Sequence, residues 1–503
     1  MHNWYEMKPL RILVCILCTF AVLGVVCLLG AGKSSLVRIP TLASVLSLPQ
    51  PVADSLLAEA EEVDTSAVVA DTLTQAQTVM KSDSVPIRPR HTTLPESLPQ
   101  TKLYLPLFYQ ALSEAGSQAV RVVHLGDSQI EEDRISMQLR YRLQERFGGG
   151  GVGLLPMVQT IPTFTVKQRI EQDSHQLPYT SVKRYLAYGP SAMRMKSGNR
   201  YGPMSQVACI NEPIEVGLEL LREKVPTYNY DRIRVLCSDS IHVALIPDSL
   251  ERQRFVLQDP PTDSFGLQPT MRQVVIVLDT LRRNVLLRLS GEGDVYGLSL
   301  ETATGLQVDN IPMRGAAGTH FTAVDIEPFA AYVRATNTRL VIMQFGGNAM
   351  PSLSSRGAVE RYTAAMRQQI QYLMSAAPDA SLLFIGPADM ITTIDGEQQS
   401  YPMLPYLDKC LAAMVEEENG AYYSLFRLMG GAGSMFHWRD VGLAGDDMIH
   451  FTRAGARKVG DLLAKQLLED YDYVVESQKP KVESQDTTTQ YLNDSINEQM
   501  VNE

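Results

Sequence analysis

Val120-Arg121-Val122-Val123-His124-Leu125-Gly126-Asp127-Ser128-Gln129 is the stretch that decides the fold. Its apolar first half reads as a buried strand, and Gly126-Asp127-Ser128 as the tight turn that ends it. Beyond the turn, Ile135, Leu139, Leu143 and Phe147 recur every four residues, one face of a helix, and Gly148 to Gly151 stop it. Strand, turn and helix in that order are the unit of a parallel α/β sheet. Ser128 is then expected at the carboxyl edge of the sheet, where open α/β folds bind ligands. The helix N-terminus there offers N–H groups to a developing anion.

The pattern changes at about Pro156. Thr163 to Val166, Val207 to Ile210, Ile233 to Cys237, His242 to Ile246, Gln273 to Leu278 and Val285 to Leu289 are short β-like runs separated by turn residues. They predict an all-β domain over residues 156–292. Val295 to Leu300, Arg339 to Phe345 and Ser381 to Ile385 then read as buried strands, with a helix over Val359 to Met374. The fold class expected is α/β with a parallel sheet, in two parts, 101–155 and 293–475, interrupted by an inserted all-β domain. A connection this long is far more than one strand-to-helix crossover requires.

Composition limits what such a chain does. It has 503 residues, with 45 Lys+Arg against 56 Asp+Glu and a net charge of -11, which argues against a nucleic-acid partner. Of its 6 Cys, Cys15, Cys18 and Cys27 fall in one apolar run; Cys209, Cys237 and Cys410 are widely spaced, neither a disulfide framework nor a zinc site. No metal or cofactor is expected. The uncharged run from Ile12 to Gly32, after Lys8 and Arg11, is long enough to span a bilayer. Residues 1–33 are therefore expected to be an N-terminal anchor, with a cleavable signal segment as the alternative. Either way the positive N-terminus stays cytoplasmic and the rest crosses the membrane. Gly30-Ala31-Gly32-Lys33-Ser34 imitates the end of a phosphate-binding loop, but Cys27 stands where that motif needs Gly. Residues 34–100, rich in Pro, Ser, Thr and acids, read as a disordered linker. From Glu469 acids predominate, and 476–503 is expected to be a solvated acidic tail.

Near the far end stands Asp447-Met448-Ile449-His450, followed by a helix with Val459, Leu462, Leu463 and Leu467 on one face. An Asp and a His three apart at a helix start point to one site, the carboxylate fixing the tautomer of the imidazole. Gln344-Phe345-Gly346-Gly347-Asn348 ends a strand, which makes the Asn348 amide a candidate donor to an oxyanion. Met313-Arg314-Gly315 follows the run Val295 to Leu300 and a loop, and offers the Gly315 N–H for the same purpose. His437-Trp438 reads as a packed aromatic loop.

These four blocks, Gly126-Asp127-Ser128, the Gly315 segment, Gly346-Gly347-Asn348 and Asp447 to His450, resemble the SGNH (GDSL-type) hydrolases over about 101–155 and 293–470. The resemblance implies a flavodoxin-like three-layer sandwich. It implies Ser128 as nucleophile, His450 as general base, Asp447 as its orienting partner, and an oxyanion hole from the Ser128 N–H, the Gly315 N–H and Asn348. Two positions depart from the pattern: Gln129-Ile130 follows Ser128 in place of Leu, and Ala349 stands where many members carry an acid. Within the family the chain is more similar to the peptidoglycan O-acetylesterases, through His124 to Gln129, Leu139-Arg140, Leu143, Phe147-Gly148 and Leu155-Pro156. Those carry a β-sandwich resembling a carbohydrate-binding module between the first and second blocks. The activity implied is serine esterase chemistry on an acetylated glycan of the cell envelope, most of all peptidoglycan, on the periplasmic side of the inner membrane. The alternatives are an acetyltransferase, an esterase on another acetylated polysaccharide, and a non-catalytic glycan-binding protein.

Overall fold

A computed structural model describes residues 103–172, 175–178, 181–188, 200–221, 229–246, 254–258 and 271–478. The expected anchor at 12–32, the linker at 34–100 and the tail beyond 478 lie outside them. Among the described residues no helix is long and apolar enough to cross a membrane.

The chain runs through α1 (Pro106–Leu112), β1 (Ala119–Gly126), a kinked 3-10 segment at Ser128–Asp133, and α2 (Ser136–Phe147). Twelve antiparallel strands follow: β2 (Gly153–Leu155), β3 (Val166–Gln172), β4 (His175–Gln176), β5 (Lys183–Leu186), β6 (Gln206–Ile210), β7 (Ile214–Leu220), β8 (Tyr230–Cys237), β9 (His242–Leu245), β10 (Arg254–Gln258), β11 (Arg272–Arg282), β12 (Asn284–Ser290) and β13 (Gly293–Glu301). The chain then returns through β14 (Gly305–Pro312), α3 (Glu327–Ala335), β15 (Thr338–Gln344), α4 (Arg356–Ser375), β16 (Ser381–Gly386) and a hairpin, β17 (Ile391–Ile394) with β18 (Glu397–Ser400). It continues with α5 (Leu404–Glu417), β19 (Ala421–Ser424), α6 (Leu425–Met429), α7 (Ser434–Asp440) and α8 (Arg453–Gln478).

Five of these strands form a parallel sheet in the order β14-β1-β15-β16-β19. Numbered within the sheet alone, that is the doubly wound order of flavodoxin-like folds, whose switch point lies between the first and third strands, β1 and β15 here. Alternation along β1 assigns its two faces. Val120 and Val122 pack under α1, α2 and α8, with Phe108, Leu139, Leu143, Val459 and Leu463. Val123 and Leu125 pack against α3, α4 and α5, with Phe329, Val359, Met366 and Leu407. The α/β sandwich expected from the sequence is this three-layer arrangement.

The inserted strands build a sandwich of two antiparallel sheets, one ordered β10-β11-β8-β13-β6-β5 with β2 beside β13, the other β4-β3-β7-β12-β9. Val216, Leu218, Leu287 and Leu289 of the second sheet meet Ile233, Val235, Val274, Ile276 and Leu298 of the first in a shared core. The opposite face of the first sheet is also buried: Val207, Leu236 and Tyr296 pack into the layer of α3. Arg121 of β1 lies in that junction, ion-paired with Glu301 of β13 and with Asp309 of β14 at 2.6 Å; Arg234 of β8 reaches Glu301 at 2.8 Å.

Several expectations need correction. The run Val295 to Leu300 belongs to β13 of the inserted sandwich, paired antiparallel with β2 and β8; the strand that leads to Gly315 is β14, whose Gln307, Asp309 and Asn310 hid it from a hydrophobicity reading. The insertion therefore includes strands outside 156–292 at both ends. At its start the chain crosses between β13 and β14 on glycines. Gly151, at φ +76°, could not accept a Cβ without its lying 2.1 Å from the Leu300 carbonyl oxygen. Of Thr163 to Val166 only Val166 is in a strand, and β5, β7 and β10 were not anticipated. The acidic stretch from Glu469 remains helical to Gln478, because α8 keeps an inward stripe there. Tyr471 packs edge-on against Phe147 at 5.1 Å, and the buried Asp470 carboxylate accepts from Leu103 N at 2.9 Å.

Candidate active site

The sheet register sets the geometry. Gly126, the last residue of β1, lies between Pro312 of β14 and Gln344 of β15 in one row of the ladder. Three adjacent strands thus end flush, and Ser128, Gly315 and Asn348 each follow their strand by two to four residues. Asp127 turns the chain after β1: its N–H donates to Gln344 O at 3.2 Å and its carboxylate accepts from Gln129 N at 2.9 Å, capping the 3-10 segment. Burial pushes the Asp127 carboxyl up to about 6, against the opposing pull of the Gln129 N–H and of His450.

Ser128 Oγ lies 2.8 Å from His450 Nε2, and His450 Nδ1 lies 2.7 Å from Asp447 Oδ2. An ionised carboxylate only accepts, so Nδ1 carries the proton and Nε2 presents its lone pair to the Ser128 hydroxyl. The local fold that brings Asp447 back onto His450 is a turn through Met448 at φ +59°. Asp447 Oδ1 accepts from the N–H groups of Ile449 and His450, both at 3.0 Å, while Met448 O is held by Ile391 N at 3.1 Å. Burial raises the Asp447 carboxyl, but the hydrogen bonds from His450 and Ile449 outweigh it and hold the group below its ordinary range. Asp447 and His450 side chains are 13% and 22% exposed, open enough for a ligand to reach the imidazole.

After β14, Met313 N donates to Gly126 O at 2.7 Å, and Ala316 N to Met313 O at 3.0 Å. Between them Gly315 adopts φ +73°, the left-handed region that favours glycine. Asn348 is exposed and donates one amide hydrogen to Ala316 O at 3.2 Å, leaving a second on the same nitrogen. Gly347 packs on the nucleophile turn, where a Cβ would meet Asp127 Oδ2 at 3.5 Å. The structure therefore joins Ser128, His450 and Asp447 directly, and ties Gly315 and Asn348 into neighbouring loops at the same sheet edge. Trp438 is packed as expected, but on helix α7 and not in a loop: its Nε1 donates to Met429 O and its ring lies 5.2 Å from Phe451.

Sequence reasoning passed over the residues that fasten these loops together. Gln129 Nε2 donates to Ile449 O at 2.7 Å, and Arg134 Nη1 and Nη2 donate to Phe451 O at 3.0 Å and Ser128 O at 2.8 Å. In the sequence Gln129 ends the matched string His124 to Gln129 and departs from the broader motif, with no role attached to it, and Arg134 carries no motif at all. The start of the insertion also reaches the site: Phe164 N donates to Glu132 O at 3.2 Å, Thr165 Oγ1 to Asp133 Oδ2 at 2.8 Å, and Arg453 lies 4.0 Å over the Phe164 ring. Among the described residues no group of three or more His, Cys, Asp or Glu is placed to hold a metal ion.

The fold is the one the SGNH-type resemblance implied, a parallel α/β sandwich interrupted by an inserted β-sandwich. Among solved structures the chain is similar to a peptidoglycan O-acetylesterase at 18% identity and a TM-score of 0.56, over 74% of this chain and 97% of that one, a likeness of fold. A catalytic mutant of an acetylxylan esterase from Geobacillus stearothermophilus aligns over 33% of this chain and 73% of its own, at 15% identity and a TM-score of 0.23. The periplasmic domain of a lipopolysaccharide acetyltransferase from Salmonella ser. Paratyphi A aligns over 33% and 74%, at 11% identity and a TM-score of 0.24. No protein-family model matches the chain, and no curated protein matches it.

Proposed function

We propose that the protein is a serine esterase that removes O-acetyl groups from a cell-envelope glycan, with peptidoglycan as the substrate. The observation that carries this reading is the relay from Ser128 Oγ to His450 Nε2 at 2.8 Å and from His450 Nδ1 to Asp447 Oδ2 at 2.7 Å. His450 takes the Ser128 proton as Oγ attacks the acetyl carbonyl. The sugar oxygen leaves with that proton, and the acetyl group stays on Ser128. Water, deprotonated by His450, then releases acetate and restores the hydroxyl. The N–H groups of Ser128 and Gly315 and the Asn348 amide stabilise the negative oxygen of both tetrahedral intermediates. The likeness of fold to a peptidoglycan O-acetylesterase supports the substrate class. Anchoring in the inner membrane through residues 12–32, with the enzyme on the periplasmic side, is part of the same proposal and accounts for access to that substrate.

The test is acetate release from O-acetylated peptidoglycan and from acetylated xylan, by the full chain and by Ser128→Ala. Release from peptidoglycan that disappears in the variant is expected. Release from xylan alone would replace the substrate, and release by Ser128→Ala equal to the parent would remove the mechanism.

A further inference from the structure

We infer that Gln129, assisted by Arg134, is a positioning residue that fixes the general base against the nucleophile; the inference rests on the esterase reading above. His450 sits in the short segment Ile449-His450-Phe451, and every backbone polar group of that segment has a partner. The N–H groups of Ile449 and His450 go to Asp447 Oδ1, and His450 O accepts from Gly445 N at 2.8 Å. The other three groups are held by the nucleophile segment. Gln129 Nε2 donates to Ile449 O at 2.7 Å, Gln129 Oε1 accepts from Phe451 N at 3.4 Å, and Arg134 Nη1 donates to Phe451 O at 3.0 Å. One amide therefore grips the chain on both sides of His450, as a neighbouring strand would.

The chemistry of that grip is selective. A donor and an acceptor on one planar group are needed to satisfy a carbonyl and an N–H two residues apart, and among side chains only an amide of this length supplies both here. Glu lacks the donor, and Met and Leu lack both. Arg134 closes the clip from the other side, since its second nitrogen holds the carbonyl of Ser128 itself at 2.8 Å. The 2.8 Å separation of Ser128 Oγ and His450 Nε2 is thereby set by direct links between the two segments, and not by the sheet alone. Neither side chain donates to the reacting groups, so the role is one of placement. Misplacement of a catalytic group by about 1 Å costs on the order of a hundredfold in rate.

The experiment uses the full chain and compares the parent with Gln129→Met, which keeps length and volume and removes both hydrogen bonds. Three quantities are read: the rate at which a fluorophosphonate labels Ser128, kcat and KM for p-nitrophenyl acetate, and the melting temperature. Labelling and kcat are expected to fall about 10- to 100-fold, with KM within about twofold and melting nearly unchanged. Gln129→Glu adds a pH readout, because a carboxylate beside His450 favours the imidazolium and moves the acid limb of kcat/KM upward; it also serves where Gln129→Met does not fold. Labelling and kcat at the parent rate in both variants would overturn the positioning role and leave the esterase reading standing. A parent chain that is neither labelled nor active would overturn the esterase reading, and this inference with it.

Discussion

Arg314 holds the carboxylate of Glu131 through three hydrogen bonds, from Nε to Oε1 and Oε2 at 2.9 and 3.0 Å and from Nη2 to Oε2 at 2.5 Å. The pair joins the nucleophile segment to the residue directly before Gly315, so two of the proposed oxyanion donors are coupled through it. Arg314→Met is expected to lower kcat about tenfold, a fraction of what losing a whole donor costs. Stability should fall by about 1 to 3 kcal/mol, since the Arg314 side chain is 53% exposed but the Glu131 side chain it leaves behind is only 7% exposed. Steady-state hydrolysis of p-nitrophenyl acetate and urea unfolding check the two parts.

Asn348→Ala removes a donor whose other amide hydrogen is spent on Ala316 O. Deleting one oxyanion donor costs about 3 kcal/mol of transition-state stabilisation, so turnover should drop a hundredfold or more. Because Asn348 is exposed, the melting temperature should stay where it is. Unchanged turnover would take Asn348 out of the site.

The carboxyl of Asp127 has an ordinary value of 3.8 and is pushed by burial to about 6. Between those two values the folded chain keeps a proton that the unfolded chain has released. The stability this group contributes is therefore complete below about pH 4 and lost as pH rises through 6. Asp127→Asn keeps an acceptor for Gln129 N and cannot ionise. It should match the parent at pH 4 and exceed it by about 3 kcal/mol at pH 7.5 in urea unfolding. A gap that did not change with pH would show that the buried charge is not what the fold bears.

Arg121→Met leaves Glu301 and Asp309 buried without their shared guanidinium. Breaking such a pair costs about 3 to 5 kcal/mol. Burial raises the Glu301 carboxyl, but Arg234 and Arg121 outweigh it and bring it down to about 2. Its stabilising contribution is present above its ordinary value of 4.5 and is lost as pH falls through that value toward 2. The difference between parent and variant should accordingly be larger at pH 7 than at pH 4, measured by urea unfolding at both.

Much of the frame was legible in the chain because burial writes itself into periodicity. β1, β15 and β16 are apolar on both faces, and α2 and α4 repeat every three to four residues, so their positions follow from pattern alone. β14 escaped because its buried Asp309 is neutralised by Arg121, a residue far away in sequence that no local window sees. Val295 to Leu300 was assigned to the parallel sheet because a strand buried on both faces looks the same in either sheet; the inserted sheet packs on the α/β layer as well as on its partner. That Ser128, Asp447 and His450 meet was legible because each stands in a short local motif at the end of a strand or the start of a helix. Gln129, Arg134 and Arg314 were not, since what they do is hold another loop, and that partnership exists only once the chain has folded.

The pairing of Ala119 with Gly305 along β1 and β14 brings together segments separated by the whole β insertion. Closing so long a loop is entropically costly for an open chain and slows the search for the native pairing. Here β2 and β13, the first and last strands of the insertion, pair with each other, Leu155 opposite Leu298 and Gly153 opposite Leu300. Once the sandwich has formed, its two ends emerge side by side, and what remains to be closed is a short span. The paired ends of the insertion thus lower the entropic cost of bringing β14 to β1, and with it of bringing Ser128 and Gly315 to one sheet edge.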